Sequence, residues 1–331
     1  MSNKDLLEQI SLSWCRRHRP ESESTDWGQS LAMYGLLRAY RIHGNDEVLT
    51  YIKRWLAYHL AEGVPVHYFC GSWSFALLYP DVAEEFPEYK MQLDTTAQRI
   101  YEMIVHKALR NGDGIILHNV DLPNIYIDTV YYSSVLLAKL GEYLGKPWQE
   151  EALKQIDLYL KKLQDGNKPF YIHCEENLSV TRSEGSWARG NGWVMMTYAE
   201  ILSSIDKNSS EYQRLAKQFQ SLAKSLAPYQ TENGLWRTII DDTSAYEETS
   251  ASAMYLYAYL KGKKAGVFTN EFDSVIEKSI VGLHSYVNEQ YQFTGVSEGT
   301  WPGTIEHYKS LSQGEWWWGT GAYLLTLSEL A

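Results

Sequence analysis

The sequence predicts an all-α fold, an (α/α)6 barrel, on three observations. Apolar residues recur at helical spacing in almost every segment, and alternating runs of β-branched residues are nearly absent. Six small or polar stretches each lead into an apolar, aromatic-rich helix. They are DWGQSLAMYGLLRAY from Asp26, CGSWSFALLY from Cys70, IDTVYYSSVLLAKL from Ile127, RGNGWVMMTYAEIL from Arg189, ETSASAMYLYAYL from Glu248 and WGTGAYLLTLSEL from Trp318. Their starts lie roughly 45 to 70 residues apart, room for two helices and their connections.

The predicted helices, in order, are Ser30–Tyr40, Glu47–His59, Gln92–Leu109, Asp128–Leu144, Glu150–Leu163, Trp193–Ser203, Glu211–Leu226, Ser250–Leu260, Asn270–Val287 and Gly319–Leu330. Gly44, Gly63, Gly145, Gly166 and Gly262 follow such segments, where glycine closes a helix in left-handed geometry. Glu150–Leu163 and Glu211–Leu226 are amphipathic and suit an outer layer with one wet face. Six apolar helices alternating with six amphipathic ones close a ring. A solenoid would show the same alternation but would repeat a side-chain consensus, which these segments lack. No low-complexity or Pro/Ser-rich linker divides the chain, so one domain is expected over residues 1–331, with the first ~15 residues loose.

Composition narrows the function. Forty-one acidic against 30 basic residues give a net charge of −11, which argues against nucleic-acid or anionic-membrane partners. A small acidic ligand remains compatible, because a few donors in a cleft hold one carboxylate whatever the net charge. Cys15, Cys70 and Cys174 have neither disulfide-framework nor zinc-ligand spacing. The first twenty residues show no apolar signal region, and nowhere do apolar residues run long enough to cross a membrane. The expected location is cytoplasmic. Twelve tryptophans and 25 tyrosines offer flat faces for sugar rings, although most are needed to fill the core.

In a helical barrel the small-residue rim is the natural cleft, and four polar segments fall there. Leu117-His118-Asn119 is followed by Asn124–Asp128, where Asp128 opens an inner helix. That aspartate is either a helix cap or a general acid/base facing the cleft. His173 lies in the segment Tyr171–Glu176. Trp187, Arg189, Gly190 and Trp193 lie in SWARGNGW, where an arginine between two tryptophans is suited to holding a carboxylate beside a sugar face. Glu248 belongs to the run from Gly234 to Met254; its Ser/Ala stretch suits close helix packing, while the carboxylate itself is a candidate for the cleft.

These segments resemble the unsaturated glycuronyl hydrolases, glycoside hydrolase families 88 and 105, and most closely the unsaturated rhamnogalacturonyl hydrolases of the latter. The similarity rests on WARGNGW (Trp187–Trp193), LWRTIIDDTSAYEETSASAM (Leu235–Met254) and the helix opened by Asp128, covering roughly residues 110 to 262. WGTGAYLLTLSEL is like the family's last inner helix. The resemblance implies the same barrel and an unusual reaction: the enzyme protonates the C4=C5 double bond left by a polysaccharide lyase, and water adds at C5. The hemiketal then opens and releases the sugar. It further implies Asp128 as the acid/base, His118 and His173 lining the site, and Trp187, Arg189 and Gly190 holding the uronate, with Trp193 of the same motif a further binding candidate. No metal or organic cofactor is implied, and the partner is a small unsaturated oligosaccharide, with the protein a monomer or homodimer.

The resemblance implies a second aspartate between the first two inner helices, where Glu47–Pro80 contains none, so either the match falls on Asp81 or Asp94 or another group takes its place. Asp81, Asp94 or His67 are the residues expected to stand in. Two other readings stay open from sequence: another (α/α)6 carbohydrate enzyme, such as an epimerase or a hydrolase of saturated glycosides, or a diverged sugar-binding barrel.

Overall fold

The computed structural model describes residues 1–66, 70–119, 124–175 and 182–331. Thirteen α-helices carry the described chain: α1 (Asn3–Arg17), α2 (Trp27–His43), α3 (Asp46–Glu62), α4 (Tyr79–Glu85), α5 (Lys90–Glu102), α6 (Thr129–Leu144), α7 (Gln149–Leu163), α8 (Ala188–Ser204), α9 (Ser210–Leu226), α10 (Thr249–Ala265), α11 (Asp273–His284), α12 (Ile305–Lys309) and α13 (Trp317–Leu330). A 3-10 helix spans Cys70–Leu78. Helix α2 packs on α13 and on this 3-10 helix, which packs on α6; α6 then meets α8, α8 meets α10, and α10 meets α13. The inner ring is thereby closed, with α1, α3, α5, α7, α9 and α11 packed outside it. This is the predicted (α/α)6 barrel.

Burial follows from position in the ring. On α9 the buried residues Tyr212, Leu215, Phe219, Leu222 and Leu226 recur every three or four positions, one stripe against the inner layer. Inner helix α6 is buried continuously from Thr129 to Ala138, because neighbours cover it on every side. Ring closure needs close approach: a Cβ on Gly35 of α2 would lie 2.8 Å from the Gly321 carbonyl of α13, and one on Gly321 would lie 2.6 Å from Leu31.

Three sequence expectations need correction. The first 15 residues are not loose: α1 starts with a Ser2–Asp5 capping box and buries Leu7, Ile10 and Trp14. The second inner position is a 3-10 helix rather than an α-helix. Gly262 lies inside α10, leaving room for the Phe268 ring, and Gly266 closes the helix in left-handed geometry.

Three short antiparallel ribbons stand where the chain enters the inner helices: β1 (Ile125–Tyr126) with β2 (Cys174–Glu175), β3 (Trp236–Arg237) with β4 (Glu247–Glu248), and β5 (Val296–Ser297) with β6 (Gln313–Gly314). They fix the rim geometry. Among the described residues no helix is long and apolar enough to cross a membrane.

Candidate active site

The β1–β2 ribbon brings two sequence-distant candidates together. Tyr126 pairs with Cys174, and the Ile127 N–H donates to the His173 carbonyl at 2.9 Å, so Asp128 emerges beside His173. The Asp128 backbone already has helical angles (φ −56°, ψ −34°), and its side chain makes no capping hydrogen bond. The capping role is therefore not what this carboxyl does. Its Oδ2 is buried without a hydrogen-bond partner and lies 3.5 Å from His173 Nε2.

Burial pushes the Asp128 pKa up to about 6, against the pull of the Arg189 charge. Burial drives the neighbouring histidines the other way: His118 falls to about 3, and His173, also facing the charge of Arg189, falls well below the ordinary value. Both imidazoles are neutral near pH 7. His118 Nδ1 is held 2.9 Å from the Thr129 hydroxyl, and its ring stacks on Tyr126 with centres 4.3 Å apart. The His173 ring stacks on Trp187 at 4.0 Å.

These groups meet at a cavity of about 290 Å³ lined by Trp27, Gly71, His118, Tyr126, Asp128, Tyr132, His173, Gly299, Thr300 and Trp301. That is near the small end of ligand sites, which run from ~300 Å³ upward, and suits the end of a saccharide chain rather than its middle. Asp128, His118 and His173 thus share one cavity.

The other candidates surround it without lining it. Arg189, assigned from sequence to a substrate carboxylate, is buried with its guanidinium already engaged. Nη1 donates to the Ser297 hydroxyl at 2.6 Å and carbonyl at 3.0 Å, and Nη2 donates to the Glu298 carbonyl at 3.0 Å. The guanidinium also lies 4.7 Å from the Trp187 ring centre and 5.4 Å from that of Trp318. Glu248, the other candidate for the cleft, caps α10 instead. Its carboxylate accepts from Ser250 and Ala251 N–H and from Ser297 N–H, 4.0 Å from Arg189. A Cβ on Gly190 would strike Ile127 at 2.6 Å, so this glycine sets how closely α8 approaches the segment that leads into Asp128. Trp193 is buried against Tyr131 and Tyr132.

Neither aspartate expected to replace the missing one is near. Asp81 pairs with Arg41 and lines a separate cavity of about 150 Å³ with Arg38, Lys139 and Glu200, toward the opposite ends of the inner helices. Asp94 sits on outer helix α5 with Lys90 and Tyr143. His67 lies outside the described residues. Sequence reasoning also missed the Gly299–Trp301 wall. Its signal was an aromatic within the glycine-rich stretch Gly295–Gly303, and Trp301 is 64% exposed at the cavity.

A closed ring of paired helices, with a carboxyl whose pKa burial raises, two neutral histidines and aromatic rings around a small cavity at one rim, defines a carbohydrate-active barrel enzyme. The model of Glycosyl Hydrolase Family 88 matches residues 6–331, and the chain belongs to that family of glycoside hydrolases. It is 28% identical, over 92% of this chain and 89% of the relative, to an unsaturated rhamnogalacturonyl hydrolase of Bacillus subtilis (strain 168). Its fold is that of a possible member of glycoside hydrolase family 105 from Klebsiella pneumoniae, with TM-score 0.90 and 23% identity over 99% of this chain and 92% of that one. It is also similar to the unsaturated glucuronyl hydrolase of Bacillus sp. GL1, with TM-score 0.71 and 17% identity over 98% and 94% of the two chains.

Proposed function

We propose that the enzyme removes a 4,5-unsaturated uronic acid from the non-reducing end of short lyase-generated oligosaccharides, with Asp128 as the single acid/base. The observation that carries this reading is the Asp128 carboxyl: it lines the cavity, its Oδ2 is buried without a hydrogen-bond partner, and burial raises its pKa to about 6. Such a group holds a proton it can deliver. In the proposed reaction it protonates C4, and positive charge develops at C5 and the ring oxygen. Water then adds at C5 and returns its proton to the carboxylate. The hemiketal at C5 opens, the resulting hemiacetal at C1 collapses, and the saturated sugar leaves with its oxygen. One water is consumed and one carboxyl group is regenerated.

Trp187 backs His173 rather than the substrate, and Arg189 acts on the site from behind Trp187. The described cavity lining contains no lysine or arginine. In this reading the uronate meets neutral donors, with Tyr126, Tyr132 and Thr300 the candidates. The occupant is a disaccharide or similarly small fragment, met in the cytoplasm by a monomer or homodimer.

The reaction leaves a mark that ordinary hydrolysis does not. Run in deuterium oxide, it should place one carbon-bound deuterium at C4 of the released uronate product, seen by proton NMR. Product without deuterium at C4 would remove the hydration mechanism.

Two further outcomes follow. Because the acid form of Asp128 is required and its pKa is raised by burial, kcat should fall as pH rises through about 6. A kcat that rises over that interval would show that the ionised carboxylate does the work. Trp301, exposed at the cavity mouth, is placed to stack on the departing sugar. Trp301→Ala should raise KM for a disaccharide about 3–10-fold with little change in kcat, and an unchanged KM would place that sugar elsewhere.

A further inference from the structure

We propose that Tyr308 is a positioning residue that fixes the proton of the His173 ring on Nε2, the nitrogen facing Asp128. The inference rests on the reading of Asp128 as the acid. Tyr308 belongs to α12 and is wholly buried. Its hydroxyl accepts from the Gly303 N–H at 3.2 Å and lies 3.0 Å from His173 Nδ1. A phenol has one hydrogen to give. The Gly303 N–H is on its acceptor side, and the Ser183 hydroxyl, which also meets this phenol, is already bonded to the Cys174 N–H and carbonyl; the phenol hydrogen is therefore assigned to the Nδ1 lone pair, and a neutral imidazole accepting at Nδ1 carries its own proton on Nε2. The far side of the ring agrees. Nε2 is 3.5 Å from Asp128 Oδ2, and once the carboxyl has given up its proton the other tautomer would set a nitrogen lone pair against a carboxylate oxygen.

The tautomer matters to the chemistry. Before the reaction Asp128 is protonated, and a bare Nε2 beside it would be the nearest base, competing with C4 for that proton. An Nε2–H cannot accept it. After transfer, the same N–H points toward the carboxylate just formed and favours it until water returns a proton.

The lock is built into its surroundings. The Tyr246 hydroxyl donates to the Tyr308 carbonyl at 3.2 Å, the Gly303 carbonyl accepts from Glu184 N–H at 2.9 Å, and the Tyr308 ring stacks on Trp187 at 5.9 Å. Further along the same segment, Thr300 joins His307 Nε2 at 2.7 Å while lining the cavity. Among the described residues the charged or titratable groups facing the Asp128–His173 pair include Arg189 from α8, His118 from the loop before β1, Tyr126 from β1, and His307 and Tyr308 from α12. Glu248 offsets Arg189 from behind.

The test is nitrogen NMR on protein labelled at histidine, with the His173 signals assigned by their loss in His173→Gln. The wild type should show a pyrrole-type Nε2 and a pyridine-type Nδ1. In Tyr308→Phe, which keeps the ring and deletes only the hydroxyl, both signals should move toward the average of two tautomers. The alkaline limb of kcat should then shift up by about one pH unit, because the Asp128 carboxylate loses the N–H that favours its ionised form, with KM unchanged. A protonated Nδ1 in the wild type overturns the proposal without any variant. So does a Tyr308→Phe protein whose nitrogen signals and pH limb match the wild type. Failure of the functional reading shows separately, as no consumption of unsaturated substrate, and leaves the nitrogen signals to decide the tautomer.

Discussion

Asp128→Asn should lower kcat by at least about 10³-fold while leaving the fold and substrate affinity nearly unchanged. The magnitude follows because one group serves as acid and then as base, and a positioned proton-transfer group contributes about 10²–10⁴-fold. The amide has almost the same shape but neither gives nor takes the proton. Stability provides an internal control with a definite sign. Burial raises the folded pKa of Asp128 to about 6, above its ordinary value of 3.8. The carboxyl therefore favours the folded state only while it is protonated, and this support is lost as pH rises through the folded value. Asparagine carries no charge to bury, so at about pH 8 the variant should melt no lower than the wild type. Wild-type turnover in this variant would take Asp128 out of the chemistry, whereas a large fall in melting temperature would make its kinetics uninformative.

Arg189→Met should unfold the rim rather than merely weaken binding. The guanidinium is the only cation within 4.0 Å of the buried Glu248 carboxylate among the described ion pairs. It also satisfies the Ser297 and Glu298 carbonyls. Breaking a buried pair from one side costs about 3–5 kcal/mol, because the remaining charge stays buried and uncompensated. In a chain this long the melting temperature should fall by about 5–15 °C. A variant that melts like the wild type but shows a raised KM would instead return Arg189 to the substrate's carboxylate.

The barrel was legible because inner and outer helices differ in burial, and burial writes itself into the apolar pattern. Sequence periodicity could not separate the 3-10 helix at Cys70–Leu78 from an α-helix, since CGSWSFALL is apolar at nearly every position and offers no face to count. The start of α1 did carry a signal, in the Ser2–Asp5 pair and the spacing of Leu7, Ile10 and Trp14.

At the site, Asp128, His118 and His173 could be placed on one rim, because inner helices begin there. What no spacing reveals is depth. Arg189 and Glu248 sit in motifs at that same rim, yet they face each other one layer behind the cavity and hold up the wall through Ser297. Thr300 and Trp301 reach the cavity from a segment more than a hundred residues beyond Arg189, a contact that only the closed ring creates. Tyr308 was invisible for the same reason: its partner, His173, lies 135 residues earlier.

The most direct test of the account follows the ultraviolet absorbance of the conjugated C4=C5 double bond on mixing the enzyme with lyase-digested rhamnogalacturonan, ulvan or glycosaminoglycan fragments. Each is run beside its saturated counterpart. The account predicts that absorbance is lost with at least one unsaturated set, that a free saturated sugar appears with it, and that the saturated counterparts stay intact. Cleavage of a saturated fragment, or persistence of the absorbance in every set, would contradict it.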